Sequence, residues 1–154
     1  MGKSKRKTSK YRKSKRFNDR DLSWTTLNKD DYSNCNFTNT IFGYKNLENK
    51  NFKKIKAYRA KFSKSILRNC SFRAAKLTYV DFSFCDLSNS EFISAKLTGT
   101  NFYKANLSNV IFRGAIIDKV NFKDAILDNA TFENCNTKRA KNLKLVYSKV
   151  QLPH

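Results

Sequence analysis

Large apolar residues recur every five positions along most of the chain. Stepping by five from Phe62 meets Leu67, Phe72, Leu77, Phe82, Leu87, Phe92, Leu97, Phe102, Leu107, Phe112, Ile117, Phe122, Leu127 and Phe132. Stepping backwards in the same frame meets Ala57, Phe52, Leu47, Phe42, Phe37, Tyr32, Leu27 and Leu22, of which Ala57 alone is small. Two residues before most of these comes a small residue, such as Ala60, Ser65, Cys70, Ala75, Val80, Cys85, Ser90 and Ala95. A period of five is neither helical nor that of a simple strand. It predicts a coil of short straight sides with a corner every five residues. Two side chains per side fill the interior, and the corners face water.

A second period closes the coil. Phe and Leu alternate between pentads, so identical residues return after twenty. Leu27, Leu47, Leu67, Leu87, Leu107 and Leu127 form one column; Phe42, Phe62, Phe82, Phe102 and Phe122 form another, and Phe52, Phe72, Phe92, Phe112 and Phe132 a third. Asn49, Asn69, Asn89, Asn109 and Asn129 repeat at the same interval. Asn tolerates left-handed turn positions, and its amide stacks into ladders. Four pentads per turn therefore predict a four-sided solenoid with like side chains in register.

Segments such as Ala105-Asn106-Leu107-Ser108-Asn109 and Cys85-Asp86-Leu87-Ser88-Asn89 resemble the pentapeptide-repeat family. The resemblance covers roughly residues 20–136. It implies an all-β, right-handed quadrilateral β-helix of about six coils, about 25–30 Å long at the usual strand spacing. The expected layout is a basic disordered tail over 1–20, the β-helix over 21–136 and a C-terminal capping segment over 137–154. In some relatives that last segment mediates dimers, so the resemblance leaves monomer and dimer open.

The frame is weakest where Asp30, Lys45 and Lys50 occupy small inward slots. A lysine in a dry core costs several kcal/mol unless it reaches solvent. Residues 45–57 are therefore expected to be distorted or looped outward, with a helix as the alternative.

Composition narrows the function. Lys and Arg number 32 against 12 Asp and Glu, a net charge of +20. Thirteen Phe argue against a disordered basic chain. No apolar run approaches the 18 residues that would suggest a membrane span, and no apolar core follows the basic N-terminus, so a cytoplasmic protein is the expectation. Cys35, Cys70, Cys85 and Cys135 all fall in the small inward slot and read as core filling. The single His is His154. No zinc spacing, phosphate loop or nucleophile motif accompanies it. Asp81, Asp86 and Asn101 are expected to hydrogen-bond the corners. No enzymatic activity, small-molecule substrate, cofactor or metal is expected.

The charge is unevenly spread. Residues 1–20 carry ten basic and one acidic residue, and residues 45–76 carry eleven and one, whereas 77–132 carry five and six. The predicted polyanion-binding residues are Lys3, Lys5, Arg6, Lys7, Lys10, Arg12, Lys13, Lys15 and Arg16 in the tail, and Lys53, Lys54, Lys56, Arg59, Lys61, Lys64, Arg68 and Arg73 on the rod. Lys45, Lys50 and Lys76 lie in the same stretch, with Tyr44 and Tyr58 among them as candidate stacking residues. The leading expectation is a scaffold for nucleic acid or a ribonucleoprotein. The alternative is a protein-interaction module, with outward Tyr79, Phe84, Ile93 and Tyr103 as the candidate interface. By resemblance that class includes proteins that protect DNA gyrase as acidic DNA mimics; a basic rod has the opposite sign for such mimicry. An anionic membrane surface is a weaker candidate, without a lipid-anchor motif to support it.

Overall fold

The computed structural model describes residues 16–143. They wind into a right-handed quadrilateral β-helix without α-helix. Parallel bridges join residues twenty apart, from Arg16–Asn36 to Asn121–Lys141. Face 1 is centred on Leu22, Phe42, Phe62, Phe82, Phe102 and Phe122. Face 2 carries the Leu27–Leu127 column, and face 3 carries Tyr32, Phe52 and the phenylalanines to Phe132. Face 4 carries Phe17, Phe37, Ala57, Leu77, Leu97 and Ile117. Each face ends in a two-residue corner, and the corner columns form edges 1 to 4, each following the face of the same number.

The corners explain the five-residue period. At a corner the N–H of the next small residue donates to the carbonyl of the preceding large one, as Ser65 does to Phe62 at 3.0 Å. The residue between them is left-handed, for example Lys64 at φ 61° and Asn69 at φ 56°. That combination is the signature of a type II turn. Asp or Asn one residue before the large position caps the turn: Asp81, Asp86 and Asn101 accept from the backbone N–H of Ser83, Ser88 and Tyr103 at 3.0, 3.1 and 3.2 Å.

Packing follows from the stacked register. The face 1 and face 3 rings stack within their columns, Phe62 on Phe82 at 5.1 Å and Phe72 on Phe92 at 4.9 Å. The two columns meet edge to face, as Phe72 and Phe82 do at 5.5 Å and 74°. Both geometries suit the ring quadrupole, and each fully buried ring stabilises the rod by about 1.5–3 kcal/mol. Polar small residues enter the core because each finds a carbonyl: Ser90 Oγ donates to Leu67 O and Thr100 Oγ1 to Leu77 O, both at 2.7 Å. Cys70, Cys85 and Cys135 do the same with their thiols. All four cysteines are buried and unbridged, and burial pushes the Cys70 and Cys85 thiols up to about 12.

Three expectations change. Residues 45–57 are neither looped out nor helical: bridges Asn46–Ile66, Asn51–Ser71 and Lys56–Lys76 continue through them, and Ile55 and Ala57 are fully buried. The two slot lysines reach partners in the preceding coil. Lys45 Nζ donates to the carbonyls of Ser23 and Thr25, and Lys50 Nζ to Asp30, all at 2.7 Å. The irregularity sits instead at residues 24–30, where the bridge ladder lapses, and the carbonyls of Ser23 and Thr25 at its start receive the Lys45 amine.

The helix also includes residues assigned by sequence to the tail. Arg16 bridges Asn36 and Phe17 stacks on Phe37 at 5.0 Å, so the frame runs one pentad before Leu22. Towards the other end, Lys141 still bridges Asn121, inside the segment assigned to the cap. Thr137 occupies the large slot over Ile117. There the last coil parts from its neighbour, leaving a cleft of about 370 Å³ bordered by Ile116, Asp118 and Arg139. The remainder of the expected tail and cap lies outside the described residues.

Candidate nucleic-acid interface

The coil sorts charge by position within twenty residues, not by nearness in sequence. The predicted patch therefore rings the rod, and its members meet different neighbours. Arg68 on edge 2 pairs with Glu48 at 3.2 Å and Asp86 at 3.8 Å, and Arg73 on edge 3 with Glu91 at 3.5 Å. Lys45 and Lys50 are engaged inside the wall, as above. Three of these four are paired with carboxylates, and the Lys45 amine is taken up by backbone carbonyls.

Face 4 differs. Lys56, Lys76 and Lys96 stand one above another, joined by the bridges Lys56–Lys76 and Lys76–Lys96. All three are exposed. No carboxylate lies on this face in the pentads 35–39, 55–59, 75–79 or 95–99. Like charges directly opposite on paired strands destabilise them. The lysines also occupy the position that caps the turn elsewhere on the same face, where Asn36 accepts from Thr38 N–H at 3.0 Å and Asn136 from Lys138 N–H at 3.2 Å. Three successive coils thus forgo a cap and gain repulsion. Lys53 and Lys54, exposed on edge 3, border the same face. Arg16 begins the column two coils below Lys56. The chain segment carrying Lys3, Lys5, Arg6, Lys7, Lys10, Arg12, Lys13 and Lys15 joins the rod there, and itself lies outside the described residues.

Arg59, on edge 4, lies over the Tyr58 ring at 5.0 Å, and Lys61 is exposed beside that edge. Lys64 belongs to edge 1. Its Nζ is 5.1 Å from the Tyr44 ring centre and 5.9 Å from that of Phe84, and it donates to the Tyr44 hydroxyl at 3.0 Å.

The four predicted interface residues do not form one patch. Phe84 and Tyr103 touch on edge 1, edge to face at 5.4 Å. Tyr79 is on edge 4, against Tyr58 at 5.9 Å, and leans over Gly99, where a Cβ would land 2.5 Å from its ring. Ile93 is on edge 3, half-buried. Lys96, Lys104 and Lys123 are not marked out by the sequence, because they lie in a stretch with balanced net charge. Steps of twenty from Lys56 and Lys64 reach the first two.

Among the described residues no group of His, Cys, Asp and Glu is placed to hold a metal, and no helix is long and apolar enough to cross a membrane.

Comparison with known proteins agrees with the coil geometry. A family model for a pentapeptide repeat region matches residues 85–153, and one for pentapeptide repeats (8 copies) matches residues 58–92. No curated protein matches. Among solved structures, the chain is similar to HetL, a pentapeptide repeat protein involved in heterocyst differentiation regulation in the cyanobacterium Nostoc. Identity is 15%, over 79% of this chain and 69% of that one, at a TM-score of 0.35. A pentapeptide repeat protein of the Arabidopsis thaliana thylakoid lumen is 26% identical over 70% of this chain and 64% of that one, at 0.28. QnrB1, a plasmid-mediated fluoroquinolone resistance protein, is 17% identical over 76% and 84%, at 0.34. The two family matches together run over residues 58–153, more than half of the chain, and with the five-residue corners and twenty-residue coils they place this chain in the pentapeptide-repeat family.

Proposed function

We propose that the protein is a non-enzymatic scaffold that binds nucleic acid, alone or in a ribonucleoprotein, with face 4 and the basic segment leading into it. The observation that carries this reading is the Lys56–Lys76–Lys96 column. It is exposed, has no carboxylate beside it in the face 4 pentads from 35–39 to 95–99, and is unfavourable for the fold. Cations held at strand spacing, about 4.8 Å apart, on a rigid face meet a chain of phosphates without ordering long loops first. Thr78, Thr98 and Tyr58 flank the column and offer hydroxyls to phosphate oxygens. Contacts of this kind are led by the backbone and read little sequence.

Salt titration of nucleic-acid binding tests the reading. Each phosphate contact contributes a slope of about −0.9 in log K against log salt on duplex DNA. The triple variant Lys56→Gln, Lys76→Gln, Lys96→Gln should bind more weakly, with a slope shallower by about 2–3. Equal affinity and equal slope would remove face 4 from the interface. A protein partner that stays bound after nuclease treatment, with no binding of nucleic acid at low salt, would favour the protein-interaction reading instead.

A further inference from the structure

Edge 1 carries a second unusual column. Its left-handed corner positions are Tyr44, Lys64, Phe84, Lys104 and Asp124, with φ between 54° and 61°. Trp24 lies twenty residues before Tyr44, at the start of the stretch where the bridge ladder lapses, and Asp124 closes the column above Lys104. On edge 2 the equivalent positions are all asparagine, from Asn49 to Asn129. Bulky side chains are unfavourable in left-handed backbone, and asparagine is tolerated there. The rings are also in the open: Trp24 is 96% exposed, Tyr44 76% and Phe84 46%. Beside the column, Tyr103 packs edge-on to Phe84. Lys104 Nζ lies 5.8 Å from the Phe84 ring centre and 5.3 Å from that of Tyr103, and Lys123 Nζ lies 5.9 Å from Tyr103. From Tyr44 onward, ring and cation alternate along the edge.

We infer that edge 1 is a stacking platform for unpaired bases, which makes the preferred nucleic acid single-stranded. This rests on the nucleic-acid reading of face 4 and deepens it. A duplex offers phosphates outside and keeps its base faces inside the stack, so it gains nothing from exposed rings. A single strand offers both. Its bases stack on aromatic faces, and its phosphates meet the lysines between them. Tyr44 and Phe84 are two coils apart, about 10 Å at strand spacing. That exceeds the 3.4 Å step of stacked bases, so a strand on this edge is held open, with bases stacked on protein and not on one another. Flexible pyrimidine strands, whose own stacking is weak, suit it best.

Trp24 is the single tryptophan of the chain and reports on this edge directly. Oligo(dT) should quench its fluorescence, and a blunt duplex of equal length should bind with little quenching. The variant Tyr44→Ala, Phe84→Ala should bind oligo(dT) at least about tenfold more weakly, given the usual contribution of one stacked base. Its affinity for duplex should stay within about twofold, and circular dichroism should report an intact fold. Tyr44→Phe with Phe84→Tyr should restore oligo(dT) binding. Equal loss for both ligands, no loss for either, or no rescue would overturn the inference while leaving the face 4 reading in place. No binding of either ligand by the unaltered protein would overturn both, as would binding of an acidic protein alone.

Discussion

Edges 1 and 2 share one backbone and differ in almost everything else. On edge 2 the left-handed corners are asparagines joined by their amides: Asn69 donates to Asn49 at 3.1 Å, Asn109 to Asn89 at 3.1 Å and Asn129 to Asn109 at 3.2 Å. That edge suits its conformation and adds hydrogen bonds along the rod. Edge 1 fills the same conformation with tyrosine, phenylalanine and lysine, and exposes the rings. Face 4 repeats the contrast within one face, since Asn36 caps its turn and Lys56, Lys76 and Lys96 replace that cap. The inward columns and the asparagines are enough to specify the coil. Departures that strain it, and that stack in register over several coils, are the places to look for binding.

Phe82→Ala removes a fully buried ring from the face 1 column, next to edge 1. It should lower unfolding stability by about 3–5 kcal/mol in urea titrations, and a loss below about 1 kcal/mol would contradict the stacked core. Asn69→Val puts a β-branched residue at φ 56° and removes one ladder bond. A loss of about 2 kcal/mol is expected, and an unchanged midpoint would show that edge 2 is not structural. In the opposite direction, Phe84→Asn should raise stability by about 0.5–1 kcal/mol while weakening oligo(dT) binding. A fall in stability would place Phe84 in the packing and not in a binding edge.

The thiols give the smallest effect. Burial raises Cys70 and Cys85 from an ordinary value of 9.0 to about 12. Unfolded thiols ionise first as pH rises, so the stability linked to these groups is full below about pH 9 and is lost progressively towards pH 12. Native protein at pH 8 should leave both unmodified by a thiol reagent that labels them readily in denaturant. Fast labelling of the folded protein would show that the inward slots open.

Much of the rod is legible in the sequence because an inward side chain has few acceptable identities. Phe62, Phe82 and Leu87 announce their columns, and Cys85 reads as a small core residue from its slot alone. Lys45 and Lys50 were harder. A charge in the inward slot looks fatal within its own pentad, and what satisfies it is twenty residues earlier, at Ser23, Thr25 and Asp30. The proposed binding surface is half legible for a related reason. Net charge counted along the chain favours residues 45–76, but Arg68 and Arg73 meet carboxylates in neighbouring coils. Lys96 and Lys104, from a neutral stretch, continue the columns that contain Lys56 and Tyr44. Tyr79, Phe84, Ile93 and Tyr103 were all expected to face outward. Only the twenty-residue register shows that they are spread over three edges.

On the reading proposed above, Lys56, Lys76 and Lys96 serve binding at the expense of the fold. That reading is tested most directly by the nucleic-acid affinity, at fixed low salt, of the variant Lys56→Asn, Lys76→Asn, Lys96→Asn, whose stability should match or exceed that of the unaltered protein. A loss of affinity of about tenfold or more is expected, in keeping with three lost phosphate contacts. Unchanged affinity in that stable variant would contradict it.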